Sequence, residues 1–341
     1  MKKLFFFLCF AFIFVGCATV EKKESTEDKN LKLLEENAKN SEAKDEDFVA
    51  GKKLLLDGKA EASLGYLEKS KAKETPFFLG LAYYSLGKYD KAEPLLEKAI
   101  AENIYPEEAA YNLAFIAYEK NDAPKAISLM TKTLSIKPAH AGANYFLGSW
   151  YYKQENYEKA LEYYKNTVKT EPSKSAGWEG VFYSLISLSD YEKAWEVRDN
   201  LDKKETSIVY NLMLVAEKTG RFSEGISLAD SSGFKTDDIV SEKIVLLTKS
   251  GKFSDSAVLA KTILAGQSGF VILDRGFSDS LSWAFIIESS GNLNLVCKKS
   301  DSDKEKEIKI EEKNGTFFVP EKKKNFNNYE EFSRETINFC K

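Results

Sequence analysis

Few side chains in this 341-residue chain could do covalent, acid–base or metal chemistry near neutral pH. The single histidine, His140, follows Lys137-Pro138-Ala139, where it is expected to cap or flank a helix rather than to catalyse. With one histidine in the chain, His-based triads and histidine-rich metal sites lack their parts. There is no glycine-rich phosphate loop, no metal-spaced Cys or His set and no serine-nucleophile turn. Asp274 and Glu288, near the C-terminus, have no recognisable acid/base partner and read as surface charges as readily as catalysts. The sequence therefore predicts no catalytic residue, no metal and no cofactor, and a formal net charge of −4 offers no basic field for nucleic acid.

The cysteines carry the chemistry that remains. Met1-Lys2-Lys3 is a positive start, and Leu4 to Val15 is an apolar run of 12 residues with six phenylalanines, short for a membrane span but suited to a signal-peptide core. It ends in Phe14-Val15-Gly16-Cys17, which resembles the lipobox of bacterial lipoproteins, although Phe14 replaces the usual Leu. That resemblance implies removal of residues 1–16 and acylation of the Cys17 thiol. Residues 18–43 hold 12 charged side chains of both signs and read as a solvated tether, with a reach of about 25–30 Å. Beyond Cys17 the exported chain would keep Cys297 and Cys340, either as a disulfide that ties the last residues back to the body or as two buried thiols.

What must position any binding residues is a repeat. From Lys73 to Lys174 run three blocks of 34 residues, starting at Lys73, Glu107 and Ala141. Each has a large–small pair at one place, Leu79-Gly80, Leu113-Ala114 and Leu147-Gly148, and a second small residue twelve places on, at Ala92, Ala126 and Ala160. Small residues at these places let two antiparallel helices approach closely. Gly87 and Asn121-Asp122 fall at the turn between them, and Pro138 and Pro172 close the second helix. Weaker copies begin near Lys44, Ser175, Thr206 and Asp237, making about seven units, although Phe182 stands where the register of the unit from Ser175 calls for a small residue. This period and residue order resemble the tetratricopeptide repeat.

The resemblance implies an all-α helical-repeat solenoid in which the first helix of each unit lines a concave face. Placed on that register, Phe77, Tyr111 and Tyr145 form one aromatic track and Tyr84, Tyr118 and Tyr152 a second, with Leu81, Phe115 and Tyr183 between them. Such a groove suits a helix or extended segment of another protein. The carboxylate clamp of cations and asparagines used by the family's best-known peptide site is matched only at Asn112 and Asn211.

After Gly266 the pattern changes to alternation. Trp283, Phe285 and Ile287 share a face, Leu293, Leu295 and Cys297 follow beyond a turn at Ser289–Asn292, and strands 307–311 and 316–319 flank the hairpin signal Asn314-Gly315. A helix over 327–339 is expected to lay Tyr329, Phe332 and Phe339 on that sheet. The expected organisation is a signal peptide (1–16), lipidated tether (17–43), solenoid (44–266) and small α+β module (267–341). The leading expectation is a lipid-anchored scaffold of the bacterial envelope, at the outer membrane, that recruits a protein partner. The alternatives are a ligand-binding or cell-wall-acting C-terminal module, and an accessory subunit of solute transport.

Overall fold

The computed structural model describes residues 45–264, 269–278, 281–299, 305–313 and 316–340. The leader, Cys17, the tether and Asn314-Gly315 lie outside the described residues. Within them no helix is long and apolar enough to cross a membrane. The chain divides into two compact units between Ser184 and Leu185.

The helices come in seven successive pairs among the described residues: α1 (Glu46–Leu56) with α2 (Ala60–Leu67), α3 (Thr75–Ser85) with α4 (Tyr89–Ala101), α5 (Pro106–Glu119) with α6 (Ala123–Ile136), α7 (Ala141–Lys153) with α8 (Tyr157–Thr170), α9 (Ser175–Ser187) followed by α10 (Tyr191–Glu196), α11 (Thr206–Lys218) with α12 (Phe222–Ser232), and α13 (Asp237–Lys249) with α14 (Phe253–Leu264). One turn recurs in every pair. Gly58, Gly87, Asn121, Glu155, Ser189, Gly220 and Gly251 have φ between 58° and 80°. The next residue's amide donates to the carbonyl five residues back, as in Lys88 to Tyr83 and Asn156 to Tyr151, both at 2.9 Å. This is a Schellman closure of the first helix. The residue after it often starts the second helix as a side-chain cap: Asp122 accepts from the Lys125 amide, Asn156 from Lys159 and Asp190 from Lys193. Pro138 and Pro172 follow the ends of α6 and α8, as the sequence indicates.

Second helices are amphipathic, whereas first helices are buried on most sides. In α8 the buried residues Ala160, Tyr164, Thr167 and Val168 form one stripe, and its charges point outward. In α3 the consecutive residues Gly80, Leu81, Ala82 and Tyr83 are all buried, because further helices pack on both sides of it. In the fifth pair Phe182 is fully buried, and the second helix lasts only six residues before a 3-10 turn at Arg198–Asn200.

The C-terminal stretch is a six-stranded antiparallel meander with neighbours in chain order: β1 (Phe270–Ser278), β2 (Leu281–Glu288), β3 (Leu293–Lys299), β4 (Glu305–Lys313), β5 (Thr316–Val319) and β6 (Lys324–Phe326), followed by α15 (Tyr329–Cys340). Phe285 pairs with Leu295, and Ile287 with Leu293, so the expected alternation is present. Lys313 pairs with Thr316, which makes β4–β5 a hairpin. Two strands, β1 and β6, were not evident in the sequence. The sheet also does not form a core of its own. Phe285, Leu295, Ile308, Phe317, Phe332 and Phe339 share one apolar cluster with Ile244 of α13 and with Phe253 and Ala260 of α14, so packing is continuous across the boundary expected near 266. Asp274 is not a surface charge: it is 2 % exposed, and its Oδ2 accepts a 2.6 Å hydrogen bond from the Tyr329 hydroxyl. Glu288 stays at the β2–β3 turn, bound to Ser290 and Asn292.

Cys297 of β3 and Cys340 at the end of α15 are joined as a disulfide, with Cα atoms 5.4 Å apart. Replacing both by serine is expected to cost about 4 kcal/mol in urea unfolding, from the entropy of the opened loop. At the recurrent turn, Glu155→Gly is expected to gain about 0.5–1 kcal/mol by relieving a left-handed non-glycine residue. Gly87→Ala is expected to lose about 1 kcal/mol although nothing stands within 4 Å of the added methyl, so the loss would be purely one of backbone conformation.

Candidate protein-binding surface

The first helices α3, α5 and α7 carry the two aromatic tracks, and the structure separates them by depth. Phe77 is 1 % and Tyr111 5 % exposed, and Leu81 is buried with them. Tyr111 crosses to the next pair: its ring lies 4.5 Å from that of His140 and 5.0 Å from that of Phe115. A Cβ added to Gly142 would stand 2.4 Å from its hydroxyl. Burial pushes the Tyr111 hydroxyl far above the ordinary range for a phenol. These three residues pack between helices rather than standing at the surface. Tyr145 is half-buried, with its ring 5.6 Å from that of Tyr164.

The second track lies nearer the surface. Tyr84 contacts Tyr89 with ring centres 5.9 Å apart, and Tyr152 contacts Tyr157 at 5.2 Å. In the middle unit the place of Tyr89 and Tyr157 is taken by Ala123, and Tyr118 meets Phe146 of the next first helix instead, at 5.5 Å. Phe146 continues to Phe115 at 5.6 Å. Tyr118, at 39 % exposure, is the most open member of a ladder formed by Phe115, Phe146 and Tyr118. Tyr183 is half-buried beside Phe182, 5.4 Å away. Phe146, Tyr89 and Tyr157 were missed in the sequence reading. The two tyrosines share a repeat place that could have revealed them. Phe146 does not, since its counterparts Phe78 and Asn112 are both buried.

Charge is distributed unequally between the helices. Among first helices, α3 has none, α7 has only Lys153 at its end and α9 only Glu179. In α5, Glu108 is turned inward, 3.3 Å from His140 Nε2 and 3.6 Å from Lys137 Nζ. Burial alone would raise its carboxyl, but His140 and Lys137 outweigh this and hold it below the usual range. His140 caps α7, its Nδ1 accepting the Ala143 amide at 3.1 Å, as a helix-flanking residue should. Asn112 is buried and donates to the Glu108 carbonyl, and Asn211 donates to that of Ser207, so neither is arranged as a carboxylate clamp. Second helices carry several of the exposed ion pairs, such as Glu93 of α4 with Lys120 and Lys125. Of the first helices that bear the aromatics, α3 and α7 are thus almost free of charge, whereas α5 carries Glu107, Glu108 and Glu119.

Residues 79–141 and 145–176 match family models of the tetratricopeptide repeat. These two stretches of the chain are tetratricopeptide repeats. Comparison with curated proteins gives no match. Solved structures match more loosely. A MamA structure labelled AMB-1 aligns with a TM-score of 0.40 and 17 % identity, over 46 % of this chain and 91 % of that one. A second MamA structure gives 0.38 and 20 %, over 51 % and 96 %. A chain from the structure of Naa15/Naa10 bound to HypK-THB gives 0.45 and 13 %, over 64 % and 36 %.

The difference in depth between the tracks is measurable. Tyr111→Ala is expected to destabilise the repeats by about 3–5 kcal/mol, as for a large side chain removed from a core. Tyr118→Ala should cost no more than about 1 kcal/mol, chiefly its edge contact with Phe146. Equal losses in chemical denaturation would show that the two tracks are not separated in this way.

Proposed function

We propose that this tetratricopeptide-repeat protein is a non-enzymatic scaffold that binds a protein or peptide segment on the first-helix face. The observation that carries the reading is the ladder of Phe115, Phe146 and Tyr118, flanked by the Tyr84–Tyr89 and Tyr152–Tyr157 pairs, with no charged residue on α3 and only Lys153 on α7. Aromatic side chains with a polar tip supply contact area at small entropic cost and are enriched where interfaces gain most energy. A low-charge face fits a partner's apolar stripe better than a terminal carboxylate, which needs cations.

The apolar leader of residues 4–15 supports a position outside the cytoplasm for this scaffold. Cys17 would be its lipid anchor and residues 18–43 its tether, with the membrane, most simply the outer one, holding it near the envelope complex it helps to assemble. Both parts can be tested in one experiment. Tyr118→Ala combined with Phe146→Ala and Tyr152→Ala is expected to remove a partner recovered by crosslinking in intact cells, with the chain still in the membrane fraction. Cys17→Ser is expected to release the chain from that fraction. A full set of partners retained by the triple variant would defeat the binding reading, and membrane retention of Cys17→Ser would defeat the anchor.

A further inference from the structure

Three buried carboxylates and two half-buried cations stand together inside the C-terminal unit. Glu217 stands on α11, Glu242 and Lys249 on α13, and Asp274 and Arg275 on β1. Lys249 Nζ lies 3.1 Å from Glu217 Oε1 and 3.1 Å from Asp274 Oδ1. Arg275 reaches Glu242 Oε2 at 2.8 Å and Glu217 Oε2 at 3.6 Å. Tyr329 of α15 closes the group on Asp274. The other charged or titratable groups acting on it are Lys218, exposed on α11, and the half-buried phenol of Tyr210 beside Arg275.

With every group ionised, the cluster holds one negative charge too many, and an uncompensated buried charge is strongly destabilising. Hydrogen bonding shows where a proton would sit. Asp274 accepts from Lys249 and from the Arg275 amide on Oδ1 and from Tyr329 on Oδ2, which suits an ionised acceptor. Both oxygens of Glu217 face cations. Glu242 differs: its side chain is 1 % exposed, and Oε1 is buried with no hydrogen-bond partner. We propose that this junction holds one proton on Glu242, beside the Glu217 carboxylate, and that its loss as the surroundings become alkaline loosens the seat of the sheet on the last two helix pairs.

Burial pushes the Glu242 carboxyl up to about 7, against the pull of Arg275 and with the push of Glu217. A carboxyl raised in the fold binds its proton more tightly there than in the unfolded chain. Its stabilising contribution is therefore complete below the ordinary carboxylate range and is lost as pH rises through about 7. Protonated Glu242 leaves Glu217 and Asp274 balanced by Lys249 and Arg275.

The test is a titration of the full chain labelled at glutamate side-chain carbons, read by NMR together with amide exchange. One glutamate is expected to titrate near neutrality and to be absent from Glu242→Gln. Amides of α13 and β1, corrected for intrinsic rates, should open roughly ten- to a hundredfold more readily at alkaline than at mildly acidic pH, and this response should vanish in the variant. The proposal is overturned if every glutamate titrates in the ordinary carboxylate range, or if Glu242→Gln keeps the same response. Should that variant not fold, Glu217→Gln decides: the neutral titration must move down when the neighbouring charge is removed, and an unmoved titration overturns the proposal.

Discussion

One close approach organises the first four helix pairs: a small residue on the first helix meets a large one sixteen places later on the second. A Cβ added to Gly51 would stand 2.7 Å from Leu67, one on Gly80 3.0 Å from Leu96, and one on Gly148 2.9 Å from Tyr164. In the third pair Ala114 and Met130 occupy the same places in one core cluster. Extra atoms forced into such a contact cost about 1–3 kcal/mol through displaced side chains and backbone. The contact draws each first helix against its own second helix, and the next pair covers another side. Position five, occupied by Phe77 and Tyr111, is then enclosed, whereas position twelve, occupied by Tyr84, Tyr118 and Tyr152, lies at the margin. Packing therefore determines which aromatics stay near the surface.

Much of this was legible in the sequence because it is local or periodic. The 34-residue spacing, the left-handed turn, the helix-closing prolines and the alternation of β2 and β3 each depend on residues close in the chain. Depth was not legible. The register gives Tyr111 and Tyr118 equivalent standing as first-helix aromatics, but the enclosure of Tyr111 by His140 and Gly142 comes from the next repeat. Phe146 has no repeat partner of similar exposure and gave no signal. In β1 the register shifts between Ile272 and Asp274, and such a bulge breaks the alternation by which a strand is recognised. Asp274 read as a surface charge because Tyr329, which holds it, lies 55 residues away.

The two ends of the described chain solve different problems. In the array, second helices carry exposed pairs such as Lys98 with Glu102, which contribute little and keep the outer face wet. In the C-terminal unit, charges are turned inward, and Lys249 and Arg275 link α11 and α13 to β1 beside a continuous apolar core. The disulfide between Cys297 and Cys340 secures the last helix of the same unit. Attachment of the sheet thus depends on neighbouring repeats, while the aromatic face of the array is left for the proposed partner.

Where that partner docks can be measured by placing a photo-crosslinking amino acid at position 118 on the first-helix face or at position 132, an exposed place on the second helix α6. Crosslinks in intact cells to a defined protein from 118 and not from 132 are the expected result. Crosslinks from 132 alone, or none from 118 under conditions in which the chain is folded, would contradict binding on the aromatic face.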